Sequence, residues 1–356
     1  MRFDVAIIGA GVAGNSLANI IAKKGYKTVV IEKNKEIGNK LCGGLVSKRV
    51  LNLSKTDAVV NEIKGAYVIF PNGKEICIGG NKTNAYVIDR KIFDRELAEK
   101  AMSNGAEYKL NFKVKHIFKN KINGEIEFEW LIGADGARSF VAKKFCMGEV
   151  SFINAIQGNA KMKIDEDFVK IYINQEIAPG FFAWLIPDGN KVRIGLGSHK
   201  KALRKKLNKF IKIIDANIFD IKASLIPIGL RKFYLKNVIL VGDACGHVKA
   251  TSGGGIYGSL LASKLLGENF ENFENYRKKF MGKFGKELRK CILVRKIFLK
   301  LNNRDFNEMY ENIKNEVELI NKYGDIDYPS ILAKKMVKKF IIKNPKLILK
   351  LVRCLL

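Results

Sequence analysis

Three glycines near the start of the chain have the spacing of a nucleotide phosphate site. Gly9, Gly11 and Gly14 follow the apolar run 3–8 and open a segment with a helical pattern. Gly9 permits a tight turn, Gly11 lets the backbone approach a pyrophosphate, and Gly14 lets helix and strand pack closely. Amide groups at a helix N-terminus bind anions because they lack partners within the helix. The spacing therefore predicts a dinucleotide site, in which we include Ala13.

The elements around these glycines form a βαβ unit. We predict a buried strand over Phe3–Ile8, a helix over Asn15–Lys24 and a second strand over Thr28–Ile31. Glu32 ends the second strand, where a carboxylate can accept hydrogen bonds from an adenosine ribose, and Lys33 adjoins it. A lone glycine motif is weak evidence, but here strand, helix and acid stand in register. The alternative is a purely structural glycine turn.

Two later turns place an acid after a strand and favour FAD over NAD. Asp135 and Gly136 form one of them, within a Gly-Ala-Asp-Gly-Ala-Arg-Ser run. Gly242 and Asp243 form the other, directly after the short apolar strand Val238–Val241. A carboxylate at the carboxyl end of such a strand lies where the hydroxyls of a ribityl chain would be. The alternative is that both motifs are ordinary loop punctuation.

A third glycine cluster opens a predicted helix. Gly253, Gly254 and Gly255 precede Ile256, the first residue of the helical pattern. Bare backbone amides at this helix N-terminus could face the pyrimidine edge of a flavin. They would stabilise the negative charge of a reduced flavin there. We therefore assign all four residues to the cofactor site.

These motifs, in this order, resemble those of the FAD-dependent p-hydroxybenzoate hydroxylase-like superfamily. Within it the chain resembles the geranylgeranyl reductase family, notably the archaeal members that act on digeranylgeranylglycerophospholipids. Three further segments carry the narrower likeness: the Cys-Gly-Gly run 42–44, the aromatic strand motif 179–187 and the segment 87–94, which contains Arg90. Phe182 stands where the aromatic motif usually has Tyr, which removes a hydroxyl.

The resemblance implies an α/β fold with a Rossmann-type FAD-binding domain, an inserted, mainly antiparallel β-sheet domain for substrate and a C-terminal helical region. We expect the FAD-binding domain to be discontinuous, because its motifs are scattered over the sequence. The expected boundaries are 1–60, 85–149 and 235–270 for the FAD-binding domain, 61–84 and 150–234 for the substrate domain, and 271–356 for the helical region.

The activity that the resemblance implies is hydride transfer from a reduced flavin, here FAD, to isolated C=C bonds of isoprenoid chains. Cys42 is our candidate for the catalytic residue nearest the flavin, acting as an acid, a redox relay or a packing residue. Gly43 and Gly44 would let the backbone approach the ring closely. Together with Cys42 and Arg90 they belong to the expected cofactor site.

The aromatic motif supplies the expected substrate residues. Phe182 and Trp184 fall on the same face of a predicted strand, and with Pro187 they would wall an apolar tunnel for a prenyl chain. The alternative is an ordinary sheet core. His247, close behind the second Gly-Asp turn, is a weaker candidate for a proton donor.

The charge of the chain is strongly positive. It has 64 Lys and Arg against 35 Asp and Glu, a formal net charge of +29. Such a surface attracts lipid head groups, nucleic acid or acidic substrates, although a merely solvated surface is the alternative. Residues 331–356 form a basic amphipathic pattern interrupted by Pro345, and 200–236 add further cations. The resemblance implies an isoprenoid lipid substrate as a partner, and the charge adds an anionic membrane surface as an expected one.

Two other functions compete with prenyl reduction. An aromatic hydroxylase of the same superfamily would need oxygen and usually NAD(P)H. A basic flavoprotein that binds RNA or a membrane would follow from the charge, but no RNA-reading motif is present, so we do not expect nucleic acid as a partner. The electron donor stays open among ferredoxin, NAD(P)H and a deazaflavin.

The cysteines and the apolar runs indicate the compartment. None of the six cysteines forms a Cys-x-x-Cys pair, so we expect neither a zinc site nor another metal. The sequence starts directly in a strand, which predicts a cytoplasmic protein with free thiols, either free in the cytoplasm or peripheral on the inner face of the cell membrane. No apolar run approaches the roughly 20 residues that span a bilayer.

Overall fold

The computed structural model describes residues 1–343, with side chains as far as Met336. Strands in this part of the chain form three sheets. In chain order the strands are β1 Arg2–Ile8, β2 Thr28–Ile31, β3 Leu45–Val46, β4 Val59–Ile63, β5 Gly65–Ile69, β6 Glu75–Gly79, β7 Ala85–Ile88, β8 Glu107–Lys109, β9 Ile117–Phe118, β10 Lys121–Ile122, β11 Ile126–Gly133, β12 Ser151–Ala160, β13 Phe168–Tyr172, β14 Ala183–Asp188, β15 Lys191–Ser198, β16 Ile218–Ile228, β17 Tyr234–Leu235 and β18 Val238–Leu240.

Helices lie between these strands and follow the last of them. In chain order they are α1 Val12–Lys23, α2 Lys48–Ser54, α3 Arg90–Ser103, α4 Phe140–Lys144, α5 Leu203–Ile213, α6 Ile256–Glu268, α7 Phe273–Phe280, α8 Lys286–Phe298, α9 Asn303–Ile313, α10 Val317–Tyr323 and α11 Ser330–Lys343. One π-helical turn, Met281–Gly285, joins α7 to α8.

The largest sheet aligns the motif-bearing strands at one edge. Its main path runs β17-β18-β11-β1-β2-β8, and β1 is parallel to both β11 and β2. Ile8, the last residue of β1, pairs with Gly133 of β11 and with Ile31 of β2, and Gly133 pairs in turn with Leu240 of β18. The chain leaves all four strands at the same carboxyl edge, where doubly wound sheets bind ligands.

The second sheet has two faces with different neighbours. Its order is β16-β12-β15-β14-β13-β5-β6. Along β14, Ala183 and Leu185 pack in the apolar cluster that includes α5, whereas Trp184 and Ile186 pack in the cluster that includes Cys291 of α8. Successive strand residues point to opposite faces, so α5 and α8 cover opposite sides of this sheet.

Several boundaries differ from those expected. Helix α3 begins at Arg90, because Asp89 caps it by accepting hydrogen bonds from the amides of Lys91 and Ile92. The helix predicted from Asn15 begins at Val12. The second sheet is antiparallel except where β13 runs parallel to β5. A small third sheet, β3-β7-β4, and helix α2 were not predicted at all, because they are short.

The C-terminal helices pack back on both larger sheets. Phe273, Tyr276, Phe280 and Phe284 are buried in the core of the first sheet, and Phe306 is buried against β5 and β6 residues of the second. This agrees with the expected helical region. The basic pattern predicted beyond Pro345 lies outside the described residues.

Candidate active site

The first glycine turn is shaped by close backbone contacts, some within the turn and some with Ala134 at the end of β11. Gly9 has a φ of +108°, and a Cβ there would lie 2.4 Å from the carbonyl oxygen of Ala134. A Cβ on Gly14 would lie 1.9 Å from the carbonyl oxygen of Gly9. Around Gly11, by contrast, nothing lies within 4 Å of the Cβ position. The turn thus requires glycine at its two packed positions and leaves open space at the third.

That open space faces an uncapped helix. Gly11 is the N-cap of α1 and supplies no side chain to its free amides. Glu32 lies nearby, where one carboxylate oxygen accepts from the amide of Ala10 at 3.0 Å and the other from the amide of Asn34 at 3.0 Å. Lys33 is exposed beside it. Free amides, open space and a fixed carboxylate suit the pyrophosphate and ribose of a dinucleotide.

The second Gly-Asp turn packs directly on the first. A Cβ on Gly242, whose φ is +63°, would lie 2.7 Å from the Cβ of Ala13 in α1. Asp243 is paired with Lys40 across 2.5 Å. Lys40 comes from the loop after β2, so this ion pair joins the carboxyl ends of β2 and β18.

The Asp135 turn lies at the same edge but holds its acid in a different way. The Asp135 Oδ2 atom accepts from the amide of Val141 at 3.1 Å, whereas Oδ1 is buried with no hydrogen-bond partner in the described part of the chain. Burial raises the pKa of Asp135, and a hydrogen bond from Ser139 works against that rise. Gly136, next to it, has a φ of +84°. A buried oxygen without a partner is the group that a ligand hydroxyl can satisfy.

The third glycine cluster connects the nucleotide edge with the aromatic motif. Gly255 caps α6 without a side-chain hydrogen bond, and its Cβ position is 3.1 Å from Asp243 Oδ1. The Cβ position of Gly253 is 3.4 Å from the ring of Phe181. Gly254 and Ile256 complete this turn, so the free amides at the start of α6 lie between the Asp243 carboxylate and the aromatic motif.

The Cys-Gly-Gly loop is tied to the second sheet by hydrogen bonds. The Gln157 Nε2 group of β12 donates to the Cys42 carbonyl oxygen at 3.3 Å, and its Oε1 atom accepts from the indole nitrogen of Trp184 at 2.9 Å. The amide of Gly44 donates to Cys42 Sγ at 3.3 Å. One buried amide side chain therefore bridges the candidate catalytic residue and a candidate substrate residue.

A buried ion pair holds the two glycines of this loop. Arg193 of β15 donates to the carbonyl oxygen of Gly43 at 3.0 Å and to that of Ile88 at 3.1 Å, and it pairs with Asp188 at 2.6 Å. A Cβ on Gly44, whose φ is +74°, would lie 2.1 Å from an Arg193 nitrogen. Only glycine fits beneath this arginine.

Arg90 stands on the other side of Cys42. It is buried and forms a two-pronged ion pair with Asp94, at 3.0 and 2.7 Å. Burial works to lower the pKa of Arg90, but the negative charges of Asp94 and of a Cys42 thiolate raise it above its ordinary value. A cavity of about 350 Å³ adjoins Cys42, Arg90, Gln157 and Arg193. The site thus places a permanent cation beside the Cys42 thiol.

The aromatic residues only partly group as predicted. Phe182 and Trp184 lie together, with ring centroids 5.9 Å apart, and Phe181 stacks on Phe182 at 4.2 Å. Phe181 and Phe182 precede β14 rather than lying within it. Pro187 is buried within β14, but strand alternation turns it to the face that α5 covers. The structure therefore does not bring Pro187 together with the two rings.

His247 is built into the core instead of facing the cavity. It is fully buried, its Nδ1 atom accepts from the Gly242 amide at 3.2 Å, and its ring stacks on Phe280 at 4.3 Å. Burial lowers the pKa of His247 to about 3, with Asp243 acting in the opposite direction. A neutral imidazole buried away from the cavity is a poor proton donor, so the structure does not support His247 as the acid.

Three residues that tie the Cys-Gly-Gly loop to the second sheet were not predicted from the sequence. Gln157, Asp188 and Arg193 belong to no motif that we recognised. One signal was present: each is a polar residue in a strand that is otherwise largely apolar. Polar groups in buried strands need partners, so such positions point to a specific contact.

The described residues contain no group of three or more side chains arranged to hold a metal ion. Over the same part of the chain, no helix combines the length and apolarity needed to cross a membrane.

Two family models and several related proteins match this chain. A family model for the geranylgeranyl reductase catalytic domain matches residues 152–227, and one for pyridine nucleotide-disulphide oxidoreductases matches residues 3–165. An uncharacterised protein of Methanocaldococcus jannaschii is 34% identical across 94% of this chain and 95% of its own length. Digeranylgeranylglycerophospholipid reductase of Methanococcus vannielii is 29% identical across 95% of both chains. The chain belongs to the geranylgeranyl reductase family.

Membership of the geranylgeranyl reductase family makes this protein a flavin-dependent oxidoreductase. The fold agrees with that of a geranylgeranyl bacteriochlorophyll reductase-like protein from Thermoplasma acidophilum. The TM-score is 0.79 with 99% of both chains covered, at 23% identity. The predicted family, the α/β fold class and the enzyme class are thereby confirmed.

Proposed function

We propose that this reductase uses FAD to reduce isolated C=C bonds in the isoprenoid chains of membrane phospholipids. The observation that carries the proposal is the hydrogen-bonded link from Trp184 through Gln157 to Cys42. It joins the aromatic motif to the loop that adjoins the nucleotide edge. An isolated alkene is a poor electrophile, so a rigid connection between its binding wall and the reacting group is what the reaction needs.

The features of the nucleotide edge support FAD as the flavin. Gly11 leaves room at the free amides of α1, Glu32 is held beside it, and Asp243 lies at the end of β18. These positions suit the pyrophosphate, the adenosine ribose and the ribityl chain in that order. When bound, the reduced flavin supplies the hydride. Lys40 would have to share Asp243 with the ribityl hydroxyls.

The alkene binds against apolar surface in this account. Phe182 and Trp184 form part of a cluster that also contains Ile153, Ile186 and Ile226. Burial of a prenyl chain there would supply binding energy that orients its double bond. Phe182 has no hydroxyl, so this wall offers the chain no polar partner at that position.

Cys42 is our candidate for the proton donor. Its thiol would protonate one alkene carbon as the other receives hydride, and the thiolate would then regain a proton from water. The Gly44 amide and the Arg90 guanidinium both stabilise a negative charge on Cys42 Sγ. The loop would thus favour release of the proton from Sγ and hold the resulting charge there.

The setting of the reaction is part of the proposal. A phospholipid substrate and a chain of net charge +29 support peripheral binding to the inner, anionic face of the cell membrane. The electron donor would be ferredoxin, NAD(P)H or a deazaflavin. Each can be tested separately by its rate of flavin reduction without oxygen.

An anaerobic assay tests the proposed function. The purified protein is reduced with dithionite and mixed with unsaturated archaeal-type phospholipid, and flavin absorbance and lipid mass are followed together. We expect one flavin to be reoxidised for each double bond saturated. Cys42→Ala should retain flavin yet slow this step by about 100-fold, whereas Cys42→Ser should lose less. Flavin that stays reduced while the lipid mass stays constant would contradict the proposal.

A further inference from the structure

Helix α8 lies between the aromatic motif and solvent. On its inner side, Arg295 donates to the carbonyl oxygen of Gly180 at 2.9 Å, and its guanidinium lies 5.8 Å from the ring centroid of Phe181. Cys291 and Ile292 pack in the same apolar cluster as Trp184. The inner side of α8 is therefore continuous with the wall proposed to bind the isoprenoid chain.

The outer side of α8 combines cations with exposed leucines. Leu293 and Leu299 are 44% and 42% exposed, although large apolar side chains are usually buried. We call this surface the α8 face; its exposed residues are Lys286, Arg289, Lys290, Leu293, Lys296, Leu299 and Lys300. Within the described residues, none of its five cations forms an ion pair with a carboxylate.

The start of α11 extends this surface. The Lys290 ammonium group lies 3.5 Å from the Ser330 hydroxyl, and the adjoining Ile331 is 45% exposed. Lys334 and Lys335 are exposed one turn further on. Apolar side chains surrounded by unpaired cations are typical of a surface that lies in the interface of an anionic bilayer.

The other basic helix, α5, shares this character only at its last residue. Arg204, Lys205 and Lys212 are exposed on it, and Ile213 at its end is 56% exposed, but Leu207 and Phe210 are buried against the second sheet. It also covers the opposite side of that sheet from α8. The two helices cannot both rest on one flat membrane, so α5 does not extend the α8 face.

We infer that the α8 face, with the start of α11, is the surface by which the protein docks on an anionic phospholipid bilayer. This inference rests on the proposed function, because a lipid substrate must leave the bilayer to reach the aromatic motif. Unpaired cations complement the anionic head groups, and Leu293, Leu299 and Ile331 enter the acyl boundary. Docking here leaves a single helix between the bilayer and Phe181.

Vesicle binding by the full chain tests the inference without turnover. The probe is sedimentation with vesicles of phosphatidylglycerol and phosphatidylcholine, compared with phosphatidylcholine alone. Arg289→Glu, Lys296→Glu and Lys300→Glu are combined in one variant, and Arg204→Glu, Lys205→Glu and Lys212→Glu in a control of equal charge. We expect the α8 variant to lose more than about tenfold in binding to anionic vesicles and the α5 control less than about twofold.

A second pair of variants separates apolar insertion from charge. Leu293→Gln should weaken binding by about threefold or more, whereas Ile213→Gln, at an exposed position on α5, should not. Equal losses in the two charge variants would show a general charge effect and overturn the inference. So would unchanged binding by the α8 variant, or RNA binding without vesicle binding.

Turnover then distinguishes the two proposals. If the wild-type protein binds vesicles through the α8 face but reduces no lipid, the docking surface stands and the proposed function fails. If it reduces lipid in detergent and the α8 variant still binds vesicles as the wild type does, the proposed function stands and the docking surface fails.

Discussion

The two glycine loops at the centre of the site are built in different ways. In the first, Gly14 is required because its own turn brings the Gly9 carbonyl within 1.9 Å of a Cβ position. In the second, Gly44 is required because Arg193 reaches over it from a strand about 150 residues later, to within 2.1 Å. The first loop, which we propose binds the cofactor, takes its shape mainly from neighbouring residues, whereas the second takes its shape from the second sheet.

This difference shows what each loop can do. The first turn takes most of its shape from its own βαβ unit, with Ala134 of β11 packed against Gly9. The Cys-Gly-Gly loop has the second sheet as its support. Under the proposed function, the bonds of Gln157 and Arg193 would couple the reaction to substrate binding.

The largest effect should come from the first loop. Gly14→Ala puts a methyl group against backbone that cannot move, so we expect a loss of more than about 3 kcal/mol and failure to bind flavin. Gly11→Ala meets no atom within 4 Å and should keep the free energy of unfolding within about 1 kcal/mol while weakening flavin binding. Urea unfolding and flavin titration measure the two quantities. Equal stability of both variants would contradict the packed-turn account.

The second loop should respond to its distant arginine. Arg193→Met leaves the buried Asp188 with only the longer 3.9 Å contact to Lys191 and frees the carbonyl groups of Gly43 and Ile88, so we expect a loss of about 3–5 kcal/mol. Asp188→Asn combined with Arg193→Met should cost less than the sum of the single changes. Urea unfolding of the four proteins completes the cycle. Additive losses would mean that the pair is not the support of the loop.

A smaller effect on stability should appear as the pH is lowered. It should come from His247, which supports the Gly242 turn. His247 has its pKa lowered to about 3 by burial, from an ordinary value of 6.5. Its contribution to stability is therefore complete above the unfolded pKa and is lost as pH falls towards the folded one. At about pH 5 we expect ~2 kcal/mol less stability than at neutral pH. His247→Asn, which can still accept from Gly242, should remove most of this slope in thermal unfolding; an unchanged slope would assign it to other groups.

The candidate nucleotide site at the carboxyl edge of the first sheet was largely predictable from the sequence. The glycine spacing, the apolar strands and Glu32 are all local signals, and parallel pairing brings them to one edge. The start of α1 was placed three residues late because its N-cap, Gly11, has no side-chain signal.

The connection between the Cys-Gly-Gly loop and the aromatic motif was not predictable in the same way. Cys42 and Trp184 were recognised as separate motifs, but their connection depends on Gln157, which no spacing rule links to either. Pro187 was grouped with Trp184 by motif, although the alternation of a strand already places them on opposite faces. His247 was considered as an acid because sequence does not show burial.

A single-turnover experiment on Gln157 tests the account most directly. The flavin-loaded, reduced wild type is mixed anaerobically with unsaturated phospholipid and compared with Gln157→Leu and with Gln157→Glu, which keeps an acceptor for Trp184 but loses the donor to Cys42. We predict that Gln157→Leu binds flavin normally and reduces the lipid at least about tenfold more slowly, with Gln157→Glu between it and the wild type. Equal rates in all three proteins, or no lipid reduction by the wild type, would contradict the account.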